Sequence, residues 1–132
     1  MKQFGLSKKE RIKSKKEIQL VFTEGSTLLS NSRLLKAIFC IYSSQPEDVK
    51  VAFAVSKRAG TAVWRNRVKR LLRELYRNNK YLIWDSLKNK SVLLVFSLNG
   101  ISQKSHPKVS LNNLEGDVLN ILTKIRNEVQ NL

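Results

Sequence analysis

KVAFAVSKRAGTAVWRNRVKRLLRELYR, residues 50–77, changes character at its middle. Its first seven residues form an aliphatic and aromatic run of strand length, Gly60 punctuates the chain, and the apolar residues after Ala62 recur at helical spacing. Thr61 is a good N-cap, so the stretch reads as a strand, a tight turn and a helix from about Ala62 to about Asn79.

Upstream, RLLKAIFCIY (33–42) is a second strand candidate, and SSQPED (43–48) is a turn cluster between it and KVAFAVS. The two runs are expected to pair as an antiparallel hairpin. KKERIKSKKEIQLVFTE (8–24) places Ile12, Ile18, Val21 and Phe22 near one face of a basic helix that Gly25 would stop. Downstream, SVLLVF (91–96) is a continuous apolar strand, SLNGISQKSHPKVS (97–110) a loop, and Leu111, Leu114, Val118, Leu119, Leu122, Ile125 and Val129 mark a final amphipathic helix. The order α-β-β-α-β-α predicts an α+β two-layer sandwich, with helices on a small sheet and the second helix crossing between two parallel strands. Residues 1–132 read as a single domain, without repeats or low-complexity segments.

A chain of 132 residues can bury roughly two-thirds of its unfolded surface, so it can form a true core. Its charge is lopsided: 25 Lys and Arg against 10 Asp and Glu give a formal +15, which implies a polyanionic partner. No apolar run approaches the ~20 residues that span a bilayer, and MKQFGLSKKERIKSKK has no hydrophobic signal core. The expected place is the cytoplasm, with no membrane partner. Cys40 is the one cysteine and lies in an apolar run, so it is expected to be a buried structural thiol.

Wound at about 100° per residue, the 62–79 helix collects Trp64, Val68, Leu71, Leu72, Leu75 and Tyr76 on one arc. Arg65, Asn66, Lys69, Arg70, Arg73 and Arg77 fall on a neighbouring arc, with Glu74 beyond it and Arg67 apart. An ordinary solvated helix intersperses acids that neutralise such cations through i,i+4 pairs; here Glu74 alone is available. Arginine outnumbers lysine on this face, and its planar fork can hold two phosphate oxygens or stack on a base. The face is therefore expected to bind nucleic acid. RNA is favoured, because a groove between helix and sheet could take a single strand with bases on apolar side chains, whereas turn-helix readers of duplex DNA are typically all-helical dimers.

Chemistry of its own is missing from the chain. His106 is a lone histidine before Pro107, the acids are dispersed, and there is neither a glycine-rich phosphate loop nor a metal-ligand cluster, so no catalytic and no metal residue is expected. The chain reads as a binder whose catalysis would come from a partner.

Residues 50–77 resemble the signature region of the bacterial ribonuclease P protein component: an apolar strand, Ser-Lys-Lys/Arg, a Gly-containing turn, Ala-Val, a variable residue, Arg-Asn-Arg, an apolar residue, Lys-Arg, two residues and Arg. Ser56, Lys57, Arg58, Gly60, Ala62, Val63, Arg65, Asn66, Arg67, Lys69, Arg70 and Arg73 match it without a gap. EIQLVFTEG (17–25) is similar to the family's pattern of two spaced aromatics before a glycine, with Ile18 where the family often has Phe. The resemblance implies a protein that joins a large catalytic RNA and helps remove the 5′ leader of precursor tRNA, the RNA and its Mg2+ carrying out the hydrolysis and the protein holding no cofactor. It implies RNA contacts at Lys57, Arg58, Arg65, Asn66, Arg67, Lys69, Arg70 and Arg73. It further implies a leader cleft floored by Ile18 and Phe22, joined by Phe39 or Tyr42 according to which strand face looks into it. It also implies a left-handed β-α-β crossover, similar to a ribosomal-protein domain, where base rates favour the right-handed form. An RNA-binding assembly protein or a DNA-compacting protein would share the composition; the gap-free signature favours the ribonuclease P reading, with no DNA partner.

Overall fold

The structure, a computed structural model, describes residues 10–131. Its elements are α1 (Lys15–Glu24), β1 (Ser26–Leu29), β2 (Leu35–Ser43), β3 (Val49–Ala54), α2 (Ala62–Asn79), a single helical turn α3 (Tyr81–Trp84), β4 (Lys90–Leu98) and α4 (Leu111–Gln130). The class is mixed α+β, as expected.

The strand order is β1-β2-β4-β3, with β4 antiparallel to β2 and parallel to β3. The expected β2–β3 hairpin is therefore not formed: the two strands run in opposite directions, but β4 lies between them. The reason is in β4 itself, whose residues from Ser91 to Phe96 are all buried. A strand apolar on both faces belongs at the middle of a sheet covered on both sides, whereas β2 and β3 alternate and can flank it. The 44–48 connection crosses the start of β4 and is tied to it: Ser44 N donates to Asn89 O at 3.0 Å, Asp48 N to Ser91 Oγ at 2.9 Å, and Val92 N to Asp48 O at 2.9 Å. The hairpin that does form is β1–β2, in register Ser26↔Phe39 to Leu29↔Lys36. Four residues of β1 were too short to signal a strand.

One sheet face, with Leu35, Ala37, Phe39, Val49, Val51, Val92, Leu94 and Phe96, packs against α2, α3 and α4. The predicted stripe of α2 is all in this core: Trp64, Val68, Leu71, Leu72, Leu75 and Tyr76 are buried. From α4 come Leu114, Val118, Ile121, Leu122, Ile125 and Val129; Leu119 is only half-buried, and the side chain of Leu111 lies outside the described residues. The opposite face carries a smaller cluster in which Val21 of α1 and Ile12 meet Leu93 and Val95, so α1 adds a thin third layer to the expected two.

The first helix is shorter than its periodicity suggested. Residues 8 and 9 lie outside the described residues; within them, Arg11 bridges Val51 in parallel and Ile12 N donates to Val51 O at 3.0 Å. Pairing with the free edge of β3 wins over helical periodicity, and α1 begins only where the Ser14 hydroxyl accepts from Glu17 N. It ends at Gly25, whose N–H donates to Val21 O at 2.8 Å. A Cβ on Gly25 would lie 2.2 Å from Val21 O and 2.9 Å from Phe39 O, both backbone atoms that cannot step aside. Gly25→Ala is accordingly expected to cost about 2–4 kcal/mol of stability, read as a lowered urea midpoint; a midpoint within error of the parent's would show that the α1–β2 approach is looser than described.

Candidate nucleic-acid interface

α2 starts cleanly because the Thr61 hydroxyl accepts from Trp64 N at 3.2 Å, and its apolar stripe sets which way the rest of the helix faces. Asn66, Arg67, Lys69, Arg70 and Arg73 then converge on one shallow open depression of about 530 Å3, shared with Val63. Arg65 lies on the flank nearer the core, half-buried, with Nε donating to Gly60 O at 3.1 Å. Arg67, on the other flank, donates Nε to Val109 O at 3.1 Å. Each of these guanidinium groups is anchored by one nitrogen, so its two terminal nitrogens are held ready for a bidentate oxyanion such as phosphate. Lys57 and Arg58 sit in a 3-10 turn, Lys57–Ala59, immediately before the helix, and both are exposed.

The cations are not neutralised within the fold. Among the described residues the ion pairs are Lys50–Glu17 at 2.9 Å and Lys80–Glu10 at 2.8 Å, and neither touches the 57–73 set. Uncompensated cations on one face release counterions when phosphates replace them, the main source of affinity for nucleic acid.

The second surface is on the far side of the sheet. Val21 points from α1 into the sheet, and Glu17 and Glu24 on one flank reach the row Cys40–Leu93–Lys50: Glu17 pairs with Lys50, and Glu24 lies close enough to Cys40 to act on its thiol. By helical geometry Ile18 and Phe22 occupy the opposite flank. On that side of Val21 the sheet continues with the rows Ile38–Val95–Ala52 and Lys36–Ser97–Ala54. Both are solvent-exposed, Ile18 36% and Phe22 54%, so neither is a core residue. The floor beneath them is different from the one expected. Phe39 points to the α2/α4 side and is 5% exposed, so it is core and not cleft. Tyr42 has the right strand parity but lies at the other end, beyond the Glu17–Lys50 pair; burial first and Asp48 second raise its phenol above the ordinary value. Lys36, Ser97 and Ala54 occupy the open strip instead.

The two surfaces also do not form one groove between α1 and α2, since these helices lie on opposite sheet faces. They meet around the end of β3, where the strip beside Ala54 runs into Lys57 and Arg58.

These features coincide with matches to known proteins. The family model described as Ribonuclease P matches residues 6–126. The chain belongs to the ribonuclease P protein family. A ribonuclease P protein component of Porphyromonas gingivalis is 36% identical over 102 residues, covering 76% of this chain and 74% of its own. One from Geotalea uraniireducens is 32% identical over 127 residues, covering 95% and 98%. Among solved structures, the RNase P protein from Thermotoga maritima superposes with a TM-score of 0.66 at 23% identity over 87% of this chain and 96% of that one. The Staphylococcus aureus RNase P protein gives 0.61 at 22%, covering 92% of each; at these identities the likeness is one of fold.

Within this ribonuclease P family chain, Cys40 is half-buried where a buried thiol was expected, and burial, then Glu24, raise it so that it stays protonated. His106 hydrogen-bonds to Ser105 Oγ through Nδ1 at 2.9 Å and accepts from Trp64 Nε1 through its carbonyl. Among the described residues no three His, Cys, Asp or Glu side chains come together as a metal site. No helix among them is long and apolar enough to cross a membrane.

Sequence reasoning missed Val63, which is 80% exposed amid the cations. On the helical wheel it falls beside Arg70, well outside the apolar stripe, and that position was its signal. It also missed Lys36, whose alternation with the buried Leu35 and Ala37 put it on the α1 face. The reassignment of Phe39 is checkable by denaturation. Phe39→Ala is expected to cost about 3–5 kcal/mol, and Phe22→Ala to stay within about 0.5 kcal/mol of the parent; the reverse order would return Phe39 to the cleft.

Proposed function

We propose that the chain is the protein subunit of ribonuclease P, a cytoplasmic, single RNA-binding domain over residues 1–132. It binds the catalytic RNA through α2 and the 57–58 turn, holds the 5′ leader of precursor tRNA beneath α1, and assists endonucleolytic removal of that leader while the RNA carries the hydrolysis. The observation that carries this reading is the meeting, at one end of the sheet, of an unpaired cationic helix face with an exposed apolar overhang. The first suits phosphates and the second suits unstacked bases, which rest on apolar and aromatic side chains.

Lys57, Arg58, Arg65, Arg67, Lys69, Arg70 and Arg73 supply charge, and Asn66 supplies an amide that can both donate and accept. Val63 offers an apolar contact to sugar or base in the middle of them. Ile18 and Phe22 cover a leader segment from above, with Lys36 beneath to meet its phosphates. In this reading the catalytic RNA holds the Mg2+ that the hydrolysis uses, and the protein brings no cofactor of its own.

The decisive experiment is cleavage of 5′-labelled precursor tRNA at low magnesium by the catalytic RNA, with and without this protein. Stimulation that yields the mature 5′ end and is lost on changing Arg65 and Asn66 together to Ala is the expected result; tight RNA binding without stimulation would mark an assembly protein instead. If about six phosphates are neutralised, log affinity falls with log salt at a slope of about −5 on a double-helical site, and Arg65→Ala or Lys69→Ala each reduces its magnitude by about one. Unchanged slopes would remove α2 from the interface. Phe22→Ala should weaken precursor binding more than mature tRNA binding, and equal losses would argue against the leader cleft.

A further inference from the structure

The connection from β4 to α4, residues 99–110, has no regular structure, yet it is fastened to the start of α2. Its ends are anchored in the core by Ile101, 5% exposed, and Val109, 1% exposed. Between them, Gln103 N donates to Ala59 O at 2.7 Å, and Gln103 Oε1 accepts from Thr61 N at 2.8 Å. Trp64 Nε1 donates to His106 O at 2.9 Å, and Arg67 Nε to Val109 O at 3.1 Å. The loop also closes on itself, with His106 N donating to Ser102 O at 2.7 Å and Ser102 N to Ser105 Oγ at 3.0 Å. Gly60 is what lets it come so near: a Cβ there would lie 2.8 Å from both Gln103 Cβ and Trp64 Cε3.

This docking places two exposed lysines at the borders of the cationic surface. Lys104 follows Gln103, which holds the turn bearing Lys57 and Arg58; Lys108 precedes Val109, whose carbonyl holds Arg67. Residues 99–110 contain no Asp or Glu. We infer that this loop is a second lip of the RNA surface, in which Lys104 and Lys108 take backbone phosphates of the same RNA that α2 engages. The inference rests on α2 being the RNA-binding face. It adds a contact region outside the signature helix, with a physical reason for its strength: a loop already ordered by its hydrogen bonds loses little further freedom on binding, so the counterions released by its lysines appear as affinity.

The test is the salt dependence of binding between the full-length protein and the catalytic RNA. Lys104 and Lys108 are changed together to Ala and compared with Lys69→Ala and with Lys88→Ala, an exposed lysine at the opposite end of the sheet. The expected result is a slope smaller in magnitude by about two for the double variant, at roughly 0.9 per duplex phosphate contact. Lys88→Ala should leave the slope unchanged, and all variants should keep the parent's thermal midpoint. A double variant with the parent's slope, alongside a reduced slope for Lys69→Ala, overturns the loop's role and leaves α2 in place. Unchanged slopes for both overturn the α2 reading and this inference with it.

Discussion

The fold depends on one strand that has no polar face. From Val92 to Phe96, β4 is buried on both sides, so it must lie between two other strands with helices above and below. Once β4 is central, β3 pairs with it in parallel, and a parallel pair requires a crossover long enough to return the chain to the same end of the sheet. That crossover is α2. Its apolar stripe is committed to the core by the same requirement, and its cationic arc is left facing outward with nowhere to be neutralised. The charged surface is thus a consequence of the packing, in that the helix cannot turn its arginines inward without giving up Trp64, Val68, Leu72 and Tyr76.

The other sheet face is covered more thinly. α1 reaches the core through Val21 alone among its buried residues, and its Glu17–Lys50 pair steadies one flank. A partly exposed pair of this kind contributes little by itself, so the helix is positioned mainly by Val21 and by the Gly25 approach to β2. The opposite flank is left holding Ile18 and Phe22 in solvent. Side chains so exposed contribute little to the fold, so that flank of α1 is set by Val21 and Gly25 and not by them.

Much of this was legible beforehand. The Thr61 cap, the six apolar positions of α2 and the segregation of its cations follow from residue type and local spacing; the structure has the cap and the stripe, and it brings Arg67, expected apart, into the depression with Asn66, Lys69, Arg70 and Arg73. The stripe of α4 is legible for the same reason, except that Leu119 is half-buried and Ile121, absent from the expected stripe, is fully buried. The larger differences between expectation and structure arise from long-range pairing. A short turn between neighbouring strands favours a β2–β3 hairpin, whereas the apolarity of β4 on both faces places it between them. Residues 11–12 follow a helical pattern but are held by the β3 edge, a partner that periodicity does not reveal. The choice between Phe39 and Tyr42 is not decided by one strand, which cannot say which of its faces meets which helix.

By itself, then, the sequence determined the excess of positive charge, the identity and phase of the main helices, and the family signature from Ser56 to Arg73, since these depend on residue type and on spacings within a few turns of chain. Only the tertiary structure decided that α1 and α2 lie on opposite faces, that Phe39 is core while Ile18 and Phe22 are not, and that the 99–110 loop is bound to the start of α2. Each of those depends on contacts between segments far apart in the chain, where burial is decided by what packs on top of a residue and not by the residue's own neighbours.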